Sequence, residues 1–223
     1  MKLLVVAAWE PELARFRERL GAAPPHLDIV LETLGVGLVE AAIAMTRCAA
    51  RHRPAAALLL GTCGAFGDAL AVGSVVAGAG ARLVDAAAVE GTAALPAPMP
   101  VAASFDPAIH DALVGSGARS VQIANTLGIT TDDALASRLA RPRSGDVRAD
   151  VEHLEAFAFA RACAVAGLPC GVALGVANVV GSKGRAEWLA GHASASAKAA
   201  DVTWDALAAI SVALRLRTST TAQ

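Results

Sequence analysis

Two carboxylates, one amide and one glycine-flanked hydroxyl are the side chains in this sequence whose types and settings bear on chemistry. Glu155 stands among Leu154, Ala156, Phe157, Ala158 and Phe159. A carboxylate with that much apolar surface around it is costly to bury without partners, which makes it a candidate functional group. Gly61-Thr62-Cys63-Gly64 follows an apolar run, and glycines there permit positive φ and close approach of a ligand to backbone N–H groups, with a hydroxyl beside them. An ordinary strand-to-loop turn is the alternative reading, and the segment is no dinucleotide fingerprint, because G-x-G-x-x-G is absent. Asn178 ends another apolar run and either caps the next turn or recognises a ligand. Glu12, on position alone, reads as a solvated first-turn carboxylate favoured by the helix dipole. His153 reads as a helix-surface residue, and Trp188 and Trp204 as packing residues of the C-terminal helix. His and Cys form no ligand-like cluster, so neither a metal nor a cofactor is expected.

These residues need a scaffold, and the hydrophobic pattern indicates which one. Strands are expected at Leu3–Ala8, Ile29–Leu34, Ala56–Leu60, Val75–Leu83, Val121–Ile129 and Cys170–Val176. Helices are expected at Pro11–Leu20, Val39–Arg53, Glu152–Ala166 and Ala186–Leu216, and a loop at Gly91–Ala103. Alternation of near-continuous apolar strands with helices predicts an α/β fold with a parallel or mixed sheet covered on both faces. In such sheets ligands sit beyond the carboxyl ends of the strands, which points to Glu10/Glu12, Gly35–Gly37, Gly61–Gly64, Thr130–Asp133 and Asn178–Gly181. The 223 residues suit one domain, expected over residues 1–217, with a frayed polar tail over 218–223.

Composition removes several function classes. The chain is 55% hydrophobic and 17% charged, with 19 Lys+Arg against 20 Asp+Glu, so neither disorder nor an electrostatic footprint for nucleic acid or an anionic membrane is expected. Its apolar runs are too short or too interrupted to span a bilayer. The opening apolar run has no small-residue cleavage region after it and reads as a buried strand. The four cysteines, Cys48, Cys63, Cys163 and Cys170, lack CxxC spacing, and reduced thiols in a cytoplasmic protein are expected.

Taken in order, these segments resemble a known family. Met1-Lys2-Leu3-Leu4-Val5-Val6-Ala7-Ala8-Trp9-Glu10-Pro11-Glu12 is similar to the opening of methylthioadenosine/adenosylhomocysteine nucleosidases. Gly61-Thr62-Cys63-Gly64-Ala65 with Val72-Gly73-Ser74-Val75-Val76 resembles the Gly-Ser/Thr-x-Gly turn and following strand start of the nucleoside phosphorylase/nucleosidase superfamily. Glu152-His153-Leu154-Glu155-Ala156 resembles its Glu-x-Met-Glu-Gly/Ala signature, with Leu154 for Met. The resemblance runs from residue 1 to about 210. It implies a single-domain, three-layer α/β/α fold with a central mixed, twisted sheet, and a homodimer or larger homo-oligomer whose partner chain closes the 5′ side of the pocket. Pro98, Met99 and Phe105 lie in the loop that would do this.

The resemblance also implies roles. Glu12 would activate the attacking water, Thr62, Gly64 and Ile129 would line the substrate site, and Leu154 and Glu155 would contact the ribose. Asn178 takes the place where adenine-specific nucleosidases carry an Asp that protonates the leaving base. An amide offers one donor and one acceptor face, which suits a 6-oxopurine with O6 and N7–H better than adenine. The segment Val176–Trp188 resembles that of futalosine hydrolases, with Ala177, Lys183 and Gly184 departing from it. Phosphorylases of the superfamily hold phosphate with an Arg where this chain has Leu59, which favours water as nucleophile, unless Arg82 substitutes. Hydrolysis of futalosine to hypoxanthine, a step of menaquinone biosynthesis, is therefore expected. A methylthioadenosine/adenosylhomocysteine nucleosidase, a 6-oxopurine phosphorylase and a non-catalytic nucleoside-binding protein are the alternatives.

Overall fold

A computed structural model describes residues 1–141 and 148–220, with side chains to residue 216. The chain opens with β1 (Lys2–Ala7), a 3-10 turn (Glu10–Leu13), α1 (Ala14–Arg19), β2 (Asp28–Thr33), α2 (Leu38–His52) and β3 (Ala56–Ala65). Next come β4 (Val75–Leu83), α3 (Ala86–Val89), β5 (Ala102–Ser104), α4 (Pro107–Gly115), β6 (Arg119–Asn125) and α5 (Asp133–Leu139). The remainder is β7 (Val151–His153), α6 (Ala156–Val165), β8 (Cys170–Val179) and the 37-residue α7 (Gly184–Thr220). Residues 218–220 of the expected tail thus belong to α7, and residues 221–223 lie outside the described residues.

The eight strands form one mixed sheet. β2, β1, β3 and β8 run parallel, as do β4, β6 and β7, while antiparallel pairing joins β4 to β8 and β3 to β7. Strands β3, β7, β6, β4 and β8 therefore close into a ring, with β2 and β1 extending it on one side and β5 on the other. Strand residues alternate between the two faces, and each face has its own core. Leu4, Val6, Ala57, Leu59, Val172 and Leu174 pack with Met45 of α2 and Phe159 and Cys163 of α6. Leu3, Val5, Leu58, Leu60 and Ala173 pack with Phe16 of α1, Ile109 and Leu113 of α4, and Ala199, Leu207 and Ile210 of α7. Helices on both faces of a mixed sheet are the architecture expected from the alternation. Gly175 shows how tightly the layers fit: a Cβ there would lie 2.1 Å from the Ala195 carbonyl oxygen of α7.

The differences from expectation are local. Glu152 and His153 are not helical. They form β7, whose three residues bridge β3 and β6 to close the ring, and α6 begins only at Ala156. β6 stops at Asn125, four residues short of Ile129, and β5 takes the end of the expected loop at Ala102–Ser104. β3 and β8 run on through Ala65 and Val179, so Thr62, Gly64 and Asn178 are strand residues rather than loop residues. Phe105 is buried in the core against β4, not free to reach a neighbouring chain, whereas Pro98 and Met99 are exposed.

Candidate active site

A single cavity of about 570 Å³ opens at the carboxyl ends of β1, β3 and β8, and its wall includes all seven residues expected at the site: Glu12, Thr62, Gly64, Ile129, Leu154, Glu155 and Asn178. Glu12 is 6% exposed. The 3-10 turn after β1 aims it back over β3, where Gly61 makes room: a Cβ there would lie 3.2 Å from Glu12 Oε1. Thr62 Oγ1 donates to Glu12 Oε1 at 3.0 Å, and the Trp9 backbone N–H donates to Oε2 at 3.3 Å. Burial pushes the Glu12 carboxyl up from its ordinary 4.5 to about 7; the Thr62 hydrogen bond pulls the other way, and the nearby Glu155 raises it further. Far from a solvated helix-start carboxylate, Glu12 is a buried acid poised to gain or lose a proton near neutral pH.

Glu155 is 4% exposed and occupies the N-cap position of α6 rather than the middle of a helix. Its Oε1 accepts from Gly37 N–H at 2.6 Å, at the start of α2, where φ of +96° calls for glycine. The fully buried Asn125 at the end of β6 holds the β7–α6 connection, donating from Nδ2 to Leu154 O at 2.9 Å and accepting at Oδ1 from Phe157 N–H at 2.8 Å. The start of α2 thus holds the carboxylate itself, while the end of β6 holds the backbone on either side of it.

Asn178 reaches the cavity through a β-bulge. The register of β3 against β8 slips between Cys63/Val176 and Gly64/Asn178, so Ala177 is the extra residue and Asn178 is turned toward the wall. Its Nδ2 donates to Val179 O at 2.9 Å, which leaves one N–H and Oδ1 for a ligand. The neighbouring backbone is fixed by Glu187 Oε2, which accepts from Val179 N–H at 2.9 Å. Asp133 accepts from both Ser182 N–H and Ser182 Oγ.

Several wall residues were not anticipated. Trp188 is not a packing residue. Its Nε1 donates to Thr62 Oγ1 at 3.0 Å, completing a chain of hydrogen bonds from indole to hydroxyl to Glu12. Its ring stacks on His192 at 4.4 Å, Trp9 tilts against both, and Arg185 lies 4.8 Å over the Trp188 ring. The i, i+4 spacing of Trp188 and His192 is the signal that would have placed them on one helix face. Glu152, also buried, accepts from Thr130 N–H at 3.1 Å and Thr130 Oγ1 at 2.5 Å, holding the Ile129–Thr131 loop as the opposite wall. His153 is 6% exposed and faces the cavity instead of a helix surface. Trp204 does pack as expected, edge-on to Phe16 and under Arg19. Leu59 is a core residue, and Arg82 lies on β4 beside a different, shallow hollow.

A sequence model of the phosphorylase superfamily matches residues 3–210, nearly the whole chain. The chain belongs to the phosphorylase superfamily. Solved members share its fold at low identity. A 5′-methylthioadenosine/S-adenosylhomocysteine nucleosidase from Colwellia psychrerythraea, in complex with adenine, is 20% identical with a TM-score of 0.81, covering 94% of this chain and 95% of that one. A futalosine hydrolase from Helicobacter pylori is 13% identical with a TM-score of 0.82, covering 93% and 97%. An S-adenosylhomocysteine nucleosidase from Streptococcus pyogenes, in complex with 5-methylthiotubericidin, is 21% identical with a TM-score of 0.80, covering 93% and 96%. No curated protein matches the sequence. Within the superfamily fold, no group of three or more metal-ligating side chains occurs among the described residues, and no described helix is long and apolar enough to cross a membrane.

Proposed function

We propose that the protein hydrolyses the N-glycosidic bond of a purine nucleoside, with Glu12 as the general base. The observation that carries this reading is the setting of Glu12: a buried carboxyl held near pKa 7, fixed by Thr62 and Trp9, in the wall of a cavity of about 570 Å³ in a superfamily member. A base is most effective when its pKa lies close to the working pH. As the C1′–N9 bond lengthens, positive charge grows on the ribose. Glu12 takes a proton from the incoming water, and Glu155 accepts hydrogen bonds from sugar hydroxyls and balances the cationic ring. Asn178 meets the departing base.

Two features favour water over phosphate as nucleophile. Leu59 is sealed in the core, and Arg185, stacked on Trp188, is the only Lys or Arg among the described wall residues. A 6-oxopurine leaving with N7 protonated, as in futalosine, presents an O6 acceptor and an N7–H donor to the free N–H and Oδ1 of Asn178, whereas adenine leaving in that form presents two donors and leaves the amide N–H unpaired. The apolar residues exposed around the mouth, Trp9, Val36, Ile129 and Leu189, support closure of the site by a second copy of the chain. The deciding experiment offers futalosine, inosine and methylthioadenosine with and without phosphate, and detects free base. Hypoxanthine release independent of phosphate is expected. Phosphate-dependent turnover, or turnover of none of them, overturns the reading.

A further inference from the structure

His153 has a hydrogen-bonding pattern that fixes its chemistry. Its Nδ1 accepts from two backbone groups at the start of α6, Glu155 N–H and Ala156 N–H, each at 3.1 Å. Nδ1 also lies 3.3 Å from Glu155 Oε2, a distance compatible with an ion pair. An ion pair is ruled out by the two N–H groups: a proton on Nδ1 would point three donors at one another. Burial holds the ring's pKa down, against the opposing pull of Glu155. The imidazole is therefore neutral and carries its single proton on Nε2.

That proton faces the ligand space. The His153 side chain is 5% exposed, and its Nε2 has no hydrogen bond within the described chain. Among the described residues, the only buried side-chain polar atom sealed without a partner is Thr126 Oγ1. Nε2 is thus open, and the surface to which His153 contributes is the cavity wall beside Leu154 and Glu155. The cavity holds carboxylates from Glu12, Glu152 and Glu155, which only accept when ionised. A sugar hydroxyl that gives its proton to Glu155 keeps two lone pairs, and desolvating them without a donor is unfavourable.

We propose that His153 is a substrate-binding residue that completes recognition of the ribose diol, its Nε2–H donating to the hydroxyl pair whose protons Glu155 accepts. This rests on the nucleoside reading given above. His153 and Glu155 form a donor–acceptor couple on one turn, and each is held by a backbone N–H from a helix start, Ala156 of α6 and Gly37 of α2. The couple is specific for a vicinal diol, since a deoxy sugar leaves one of its two polar groups unpaired.

The test separates the ring's two nitrogens. In His153→Asn the amide oxygen falls near Nδ1 and keeps the α6 cap, while the Nε2–H is lost. In His153→Gln the amide nitrogen reaches toward Nε2 and the cap is weakened. Rates are measured on inosine, 2′-deoxyinosine and 3′-deoxyinosine, with urea unfolding for each variant. His153→Asn is expected to keep its unfolding midpoint and lose about tenfold in kcat/KM on inosine, with KM carrying most of the change. The preference for inosine over one of the deoxy substrates should collapse by the same factor, and His153→Gln should retain that preference while unfolding at lower urea. Unchanged preference for both deoxy substrates in His153→Asn overturns the proposal, whether or not the rate falls. Nitrogen-15 spectra of the imidazole keep the two readings distinguishable. If no nucleoside is cleaved but inosine shifts the His153 Nε2 signal, the diol contact stands and hydrolysis fails. If inosine neither is cleaved nor shifts that signal, both fall.

Discussion

Replacing Glu12 with Gln should make the protein more stable at alkaline pH while removing its activity, and the size of the effect follows from the site. The carboxyl's ordinary value is 4.5 and burial lifts it to about 7, so the native state holds this proton more tightly than the unfolded chain does. That contribution to stability is complete below about pH 4.5, and it is lost as pH rises through about 7. The full gap corresponds to about 3 kcal/mol. About 2 kcal/mol of it disappears between about pH 5.5 and 8.5. Gln does not titrate. It keeps an acceptor for Thr62 Oγ1 but can present its NH₂ to the Trp9 N–H, a fixed cost that does not vary with pH. Urea unfolding of wild type and Glu12→Gln at both pH values isolates the titration of Glu12 together with its coupling to Glu155, because the remaining ionisable groups are common to the two proteins. The stability of wild type relative to the variant should fall by about 2 kcal/mol from the lower pH to the higher. A change under about 0.5 kcal/mol, or one of opposite sign, refutes the buried-base argument. Turnover in Glu12→Gln should drop by about 10²–10⁴, the usual worth of a general base, and near-normal turnover would remove Glu12 from the chemistry.

Thr62→Val deletes the hydroxyl that holds the Glu12 value down, so the acid limb of the kcat/KM–pH profile should move to higher pH; a limb that stays in place assigns it to another group. Gly61→Ala pushes a methyl against the Glu12 carboxylate, and kcat should fall at least tenfold with little change in the urea midpoint; loss of both together would mean a folding defect instead. Asn178→Asp exchanges the amide donor for an acceptor, and the kcat/KM ratio for hypoxanthine over adenine nucleosides should fall by at least tenfold. Asn178→Ala should cost about 10²–10³ in kcat on hypoxanthine nucleosides, measured by free-base release.

Much of the scaffold was legible because its elements are periodic. β1, β2, β4 and α2 fall within a residue or so of the expected bounds, since each is bounded by Gly, Pro or charged residues at a strand or helix end. The failure at Glu152–His153 has a different origin. No local signal separates these residues from the helix that follows; they extend only because β3 and β6 pair with them on either side, a contact across long stretches of chain. The same override hid the roles of His153 and of Glu152. The short helices α4 and α5 were missed despite local marks, Asp106 before Pro107 and Asp132 before the helix, both of which cap as expected for Asp. Glu12, Thr62, Gly64, Ile129, Leu154, Glu155 and Asn178 do meet in one cavity. Trp188 does not announce itself, because an indole that packs and an indole that donates to a threonine look alike in a sequence.

The aromatic cluster at the cavity mouth gives the protein a built-in optical reporter. The chain has three tryptophans and no tyrosine, so its near-ultraviolet emission comes almost wholly from indole. Two of the three, Trp9 and Trp188, stand at the site, in contact with His192 and with Arg185 over the Trp188 ring, while Trp204 lies farther along α7 against Phe16. Occupancy of the site should therefore be readable from emission intensity without a label, and a Trp204→Phe background would confine the signal to the mouth alone.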